Sequence, residues 1–109
     1  MDIRKLRKVA EQDLKTCGLT NWKFKWSKTK RGLGYCEFYN RTIRISKPLA
    51  KINSESRMEN TWRHEVAHAL AGPLAEHGKL WQKIARYVGC TATEYADPKV
   101  DGLPLKTLD

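Results

Sequence analysis

The three histidines of this 109-residue chain, His64, His68 and His77, fall within fourteen consecutive positions. The first two belong to His64-Glu65-Val66-Ala67-His68, an HExxH sequence. On a helix, side chains four residues apart share a face, so both imidazoles can turn a ring nitrogen toward one ion about 2.0–2.1 Å away. Two imidazoles suit zinc, and a catalytic zinc site takes three protein ligands and leaves a fourth position open. Glu65, next to the first ligand, is placed to reach a water on such an ion instead of the ion itself. It would take the proton of that water as general base and return it to the leaving amine as a peptide bond breaks, while the metal polarises the scissile carbonyl. An HExxH can also arise by chance on a surface helix, so helical context is the necessary check. Val66, Ala69 and Leu70 give the motif the apolar flank of a helix that packs.

The third ligand has two candidates. The spacing from His68 to His77 is not that of the metzincin HExxHxxGxxH, which sets that class aside. His77 could return to the metal through a short link at Gly72-Pro73. Glu94 would resemble the downstream glutamate of thermolysin-like enzymes, with Thr93-Glu94-Tyr95-Ala96-Asp97 a loose match to their second motif. His77 is favoured, because Glu94 follows a helix end at Gly89 and lies in a weakly patterned stretch. Tyr35, Tyr87 and Tyr95 could each offer a hydroxyl to a developing oxyanion, and no spacing selects one.

The elements that must position these groups can be read from periodicity. Ile3, Leu6, Ala10, Leu14 and Cys17 recur at helical intervals, with Gly18 placed to end the helix. Trp22, Phe24 and Trp26 alternate with Lys23, Lys25 and Ser27, the pattern of a half-buried strand. Residues 33–39 and 42–46 read as two further strands, paired as a hairpin across Asn40-Arg41. Pro48 interrupts any ladder, and Asn53, Ser54 or Ser56 can cap a helix over residues 55–71 that ends at Gly72-Pro73. Leu80, Trp81, Ile84, Ala85 and Val88 then predict a last helix closed by Gly89, with His77 at its start. Trp62 and Trp81 fall at helical core positions. The expected organisation is one domain over residues 1–90 and a loop or tail over 91–109.

Taken in order, Gly34-Tyr35-Cys36, Thr42-Ile43-Arg44-Ile45-Ser46, His64-Glu65-Val66-Ala67-His68-Ala69-Leu70 and His77-Gly78-Lys79-Leu80-Trp81 resemble the SprT-like family of zinc metallopeptidases, which includes bacterial SprT proteins and the Spartan proteases. The resemblance covers roughly residues 3–90 and is more specific than HExxH alone. It implies that the histidine of the HG-x-x-W segment, here His77, joins His64 and His68 as the third zinc ligand, with Glu65 as catalytic glutamate. It implies an α+β, minimal zincin-like fold: an N-terminal helix, a small three-stranded antiparallel sheet, the HExxH helix and a following helix carrying the third ligand. It also implies proteolysis of DNA-associated proteins. Many members continue into a C-terminal zinc ribbon, for which this chain has too few cysteines. A compact version of this kind would suit a phage-encoded protein acting in a bacterial host.

Composition bounds the remaining possibilities. The net charge is +9, carried unevenly: residues 1–63 hold sixteen Lys/Arg against six acids, and residues 64–109 hold five against six. A polyanion should therefore meet the N-terminal part of the fold. Lys23, Lys25, Lys28, Lys30 and Arg31, interleaved with Trp22 and Trp26, could join phosphate attraction to base stacking on single-stranded DNA, or the lysines could simply solvate an outer face, as could Arg4, Lys5, Arg7 and Lys8. Trp22 and Trp26 read as core. Cys17, Cys36 and Cys90 are odd in number and widely spaced, which argues against a disulfide framework and for reduced, buried thiols. No run is apolar enough to span a bilayer and no signal peptide is evident. The expectation is a cytoplasmic monomer acting on protein substrates, with a non-proteolytic DNA- or protein-binding adaptor on the same scaffold as the alternative.

Overall fold

The computed structural model describes residues 1–89. The elements run α1 (Ile3–Thr16), β1 (Lys23–Ser27), β2 (Gly34–Glu37), β3 (Thr42–Ser46), α2 (Lys47–Ile52), α3 (Glu55–Ala71) and α4 (Lys79–Val88). The fold is α+β, as expected, but the sheet is mixed, not antiparallel. β2 and β3 form the predicted antiparallel hairpin, with Gly34 opposite Ile45 and Glu37 opposite Thr42. β1 lies on the other side of β3 and runs parallel to it, Lys23 beside Thr42 and Ser27 beside Ser46, so the strand order is β1-β3-β2. Residues 28–41, which include β2 itself, are long enough for the crossover that a parallel pair demands.

Ser46 fixes that crossing. Its backbone N–H donates to Leu33 O at 2.8 Å, and its buried hydroxyl donates to Thr29 O at 2.6 Å, pinning the basic loop across the end of β3. The same hydroxyl oxygen accepts from Leu49 N and so caps α2. The sequence pattern does not anticipate this helix. Pro48 reads as an interruption, yet in the first turn of a helix its missing N–H costs nothing and its fixed φ helps.

Strand alternation sorts the two faces of the sheet. Ile43 and Ile45 are fully buried, beside the half-buried Phe24 and Trp26 and the buried Cys36, and this face packs under α1 and α3. Trp22 and Trp26 pack against the core as expected, Trp22 edge-on to Phe38 and Trp26 edge-on to Phe24. The opposite face carries Lys23, Lys25 and an Arg44–Glu37 pair at 2.9 Å. Of the cysteines, Cys36 is buried and Cys17 only half-buried, where burial pushes its thiol pKa up; neither forms a disulfide among the described residues, and Cys90 lies outside them.

α3 begins at Ser54, whose hydroxyl accepts from Arg57 N, and ends at Gly72, which takes φ +93 as its N–H returns to His68 O. It is moored to α1 by an indole hydrogen bond, Trp62 Nε1 to Asp13 Oδ2 at 2.9 Å. Gly34 is tightly enclosed, mainly by the paired strand: a Cβ there would lie 2.7 Å from Ile45 Cδ1 and 3.0 Å from the Arg44 carbonyl oxygen of β3, with Thr61 Cγ2 of α3 at 3.4 Å. The backbone oxygen cannot swing away as a side chain tip can. Gly34→Ala is accordingly expected to lower the unfolding free energy by about 1–3 kcal/mol, the range for overpacking, as read by urea denaturation.

Candidate metal centre

α3 is buried on nearly every side. Met58, Trp62 and Val66 face the main core, Ala67 faces α4, and the consecutive run His64 to His68 has no exposed member. The helical spacing of His64 and His68 puts their rings side by side, centroids 5.0 Å apart. Between α3 and α4 the chain reverses through residues 72–78, held by Ala75 N to Gly72 O and Gly78 N to Ala75 O. Glu76 takes φ +48 in this turn, an uncommon backbone for a residue with a Cβ, and its own side chain is exposed. His77 sits in the turn, two residues ahead of α4, not on the helix that was expected to carry it. Gln82 Nε2 donates to the His77 carbonyl at 3.0 Å and ties the turn to α4.

The three imidazoles converge. His77 Nε2 lies 3.0 Å from His68 Nε2 and 3.3 Å from His64 Nε2. A ring nitrogen has one in-plane orbital, holding either one proton or one lone pair, so it makes one in-plane hydrogen bond. His77 Nε2 faces two nitrogens, and both contacts cannot be hydrogen bonds. Three lone pairs directed at one cation remove the conflict. Ligands 2.0–2.1 Å from a tetrahedral zinc are separated from one another by about 3.3–3.4 Å; the two contacts of His77 are near that value, and the ligand atoms of all three residues lie within 4.8 Å of one another. His64, His68 and His77 together could therefore hold a metal ion, and their chemistry is compatible with zinc. Glu94 lies outside the described residues.

This geometry accords with the comparison to known families. The SprT-like family model matches residues 3–107. The chain belongs to the SprT-like family. Comparison with curated proteins returned no match. The family match runs beyond the 3–90 segment over which the motifs were recognised, so residues past the described part of the fold share in the likeness.

Trp81 has a larger part in this SprT-like site than its core position suggested. Its indole is fully buried, stacks on His68 with an interplanar angle of 26°, and meets His64 and His77 edge-on, with centroids 4.7–5.3 Å away. The signal was present in the sequence as the four-residue spacing from His77, which looks like simple helix amphipathicity until the turn is seen. Glu65 is sealed, with no exposed surface, on the helix turn that carries His64.

The basic residues separate into three groups. Lys23 and Lys25, with Lys15 of α1, line a cleft of about 600 Å³ between α1 and β1, beside Leu19, Trp22 and Phe24. Lys28, Lys30 and Arg31 are exposed on the loop that crosses the end of β3. On α1, Arg4, Arg7 and Lys8 are exposed, and Lys5 pairs with Glu55, whose hydrogen bond and charge hold the lysine pKa above its usual value. Among the described residues no helix is long and apolar enough to cross a membrane.

A bound ion stabilises the fold that binds it, by about 2.7 kcal/mol at a hundredfold excess over Kd. Thermal unfolding should therefore move to higher temperature with zinc and fall back with chelator. In His77→Ala the zinc-dependent shift should be largely lost, and an unchanged shift would exclude His77 as a ligand.

Proposed function

We propose that this SprT-like chain is a zinc-dependent endopeptidase with Glu65 as general base. The observation that carries the reading is the meeting of three Nε2 atoms beside a fully buried glutamate on the same helix. A site serving only stability gains little from a carboxylate next to three ligands with a fourth position open. Zinc bound there would supply Lewis acidity, polarising a peptide carbonyl and lowering the pKa of water toward about 7.

The protein's own groups account for the rest. His64, His68 and His77 direct their Nε2 lone pairs inward, which requires each ring to be neutral. A Glu65 carboxylate oxygen accepts the proton of the attacking water and hands it to the departing amine nitrogen, so one group serves as base and then acid. Burial of Glu65 in α3 restricts its rotamers, which lowers the ordering cost of holding it in place at each turnover. In Glu65→Gln the metal should stay and peptide hydrolysis should fall by about 10²–10⁴, the usual contribution of general acid–base catalysis, checked by zinc content together with casein cleavage. Retained cleavage would remove Glu65 from the mechanism.

We further infer that the substrates are proteins near DNA, with the basic N-terminal half as the contact surface. What supports this is the cleft between α1 and β1, lined by Lys15, Lys23 and Lys25 against one acid, Glu11, so that a phosphate backbone would meet a net positive wall. Lys28, Lys30 and Arg31 extend the positive surface across the loop. Replacing Lys15, Lys23 and Lys25 together by Gln should weaken single-stranded DNA binding and flatten its log–log salt slope by about 2, at roughly 0.7 per phosphate contact. An unchanged slope would place the contact elsewhere. Salt-sensitive DNA binding with no cleavage of any protein, with or without DNA, would favour the adaptor reading over the protease.

A further inference from the structure

The described part of the molecule has two apolar cores of unequal size. The larger spans α1, the sheet, α2 and α3 and includes thirteen buried residues, whereas the second consists of Ala67, Trp81 and Ala85, with Ala71, Ala75, Ile84 and Val88 partly buried around it. α4 docks mainly on α3, and of its side chains only Val88 also reaches the larger core. Two buried residues, Trp81 and Ala85, are a small apolar anchor for a ten-residue helix. By area, one large aromatic and one methyl offset only part of the entropy of ordering α4 and the turn before it.

Trp81 belongs to both structures that meet there. It is the centre of the second core, and it is also the surface against which all three histidine rings rest. Its Nε1–H donates to the His64 carbonyl at 3.3 Å, so the indole is fixed to α3 by a polar contact as well as by packing. His64 and His68 come from α3, while His77 comes from the turn that leads into α4. An ion held by all three therefore cross-links the two helices at the side of the same indole.

We propose that Trp81 is the positioning residue of the three-histidine site, setting the rings from behind so that metal binding and the docking of α4 on α3 are one coupled event. The inference rests on the metal reading above and adds to it a specific carrier of the coupling. It contacts ligands, not substrate, and acts through them. Groups that orient metal ligands from outside the coordination shell typically change metal affinity 10–100-fold when removed. Coupling between binding and docking is reciprocal, so a change that loosens α4 weakens the metal, and metal must tighten α4.

The test uses the full chain, stripped of metal and titrated with zinc against a chelator of known affinity, with amide hydrogen exchange followed by peptide. In the wild type, zinc should slow exchange across residues 79–88 by a larger factor than in β1, β3 and α1. In Trp81→Ala, zinc affinity should fall 10–100-fold and the zinc-dependent protection of residues 79–88 should shrink, while peptides of the larger core keep wild-type exchange. Trp81→Phe retains a ring but not the N–H donor, and should fall between the two; it also serves as the readable variant if the alanine form does not fold. Zinc affinity within twofold of wild type in Trp81→Phe and Trp81→Ala, or wild-type exchange over residues 79–88 that ignores zinc, would overturn this inference while leaving the metal site standing. A wild-type chain that binds no zinc would overturn the metal reading itself.

Discussion

Enclosure of α3 is the constraint on which the rest of the structure depends. A helix exposed on one side could carry His64 and His68, but it would leave Glu65 in water and its rotamers free. Here the sheet and α1 take the Met58, Trp62 and Val66 side, α4 takes the Ala67 side, and the histidines are left facing the turn that brings His77. Thr61 Cγ2 rests against the sheet at Gly34, and the Trp62–Asp13 hydrogen bond ties the helix to α1. Chemistry at the centre of the molecule thus begins with packing.

The second demand is that a ligand nine residues after His68 return to the same point. Gly72 ends α3 with a positive φ, Glu76 adopts one despite its Cβ, and the turn between them is short enough to hold His77 against its partners. Trp81 completes the enclosure from the other side. Three imidazoles from one helix and one turn, backed by an indole from a second helix, make a candidate metal site whose groups the fold itself brings together. Such preorganisation is where binding energy is best placed for catalysis.

Much of this was legible in the residues. HExxH on a helix with an apolar flank, a third histidine within reach, and a strand alternating lysine with aromatics all lead to the observed elements, because each is a local pattern with a local physical cause. The parts that were not legible depend on long-range pairing. Alternation in residues 22–27 specifies a half-buried strand but not its neighbour, and the parallel pairing of β1 with β3 hinges on Ser46 fastening a loop seventeen residues earlier in the chain. α2 was hidden because Pro48 marks a helix start as well as a strand end. Trp81 looked like ordinary core, since a tryptophan at a helical core position gives no sign of which rings it will meet.

The charge asymmetry acquires a spatial meaning in the same way. The cleft that gathers Lys15, Lys23 and Lys25 lies between α1 and β1, and the histidines lie between α3 and the turn before α4, so the proposed polyanion contact and the candidate metal site occupy different pairs of elements. The proposed function rests on the identity of the three atoms that would meet a metal. X-ray absorption at the zinc edge on the loaded protein measures this most directly. The proposed function predicts three imidazole nitrogens at about 2.0–2.1 Å and a light oxygen scatterer completing four-coordination. Two imidazoles with a carboxylate in place of the third, or a sulfur ligand near 2.3 Å, would contradict it.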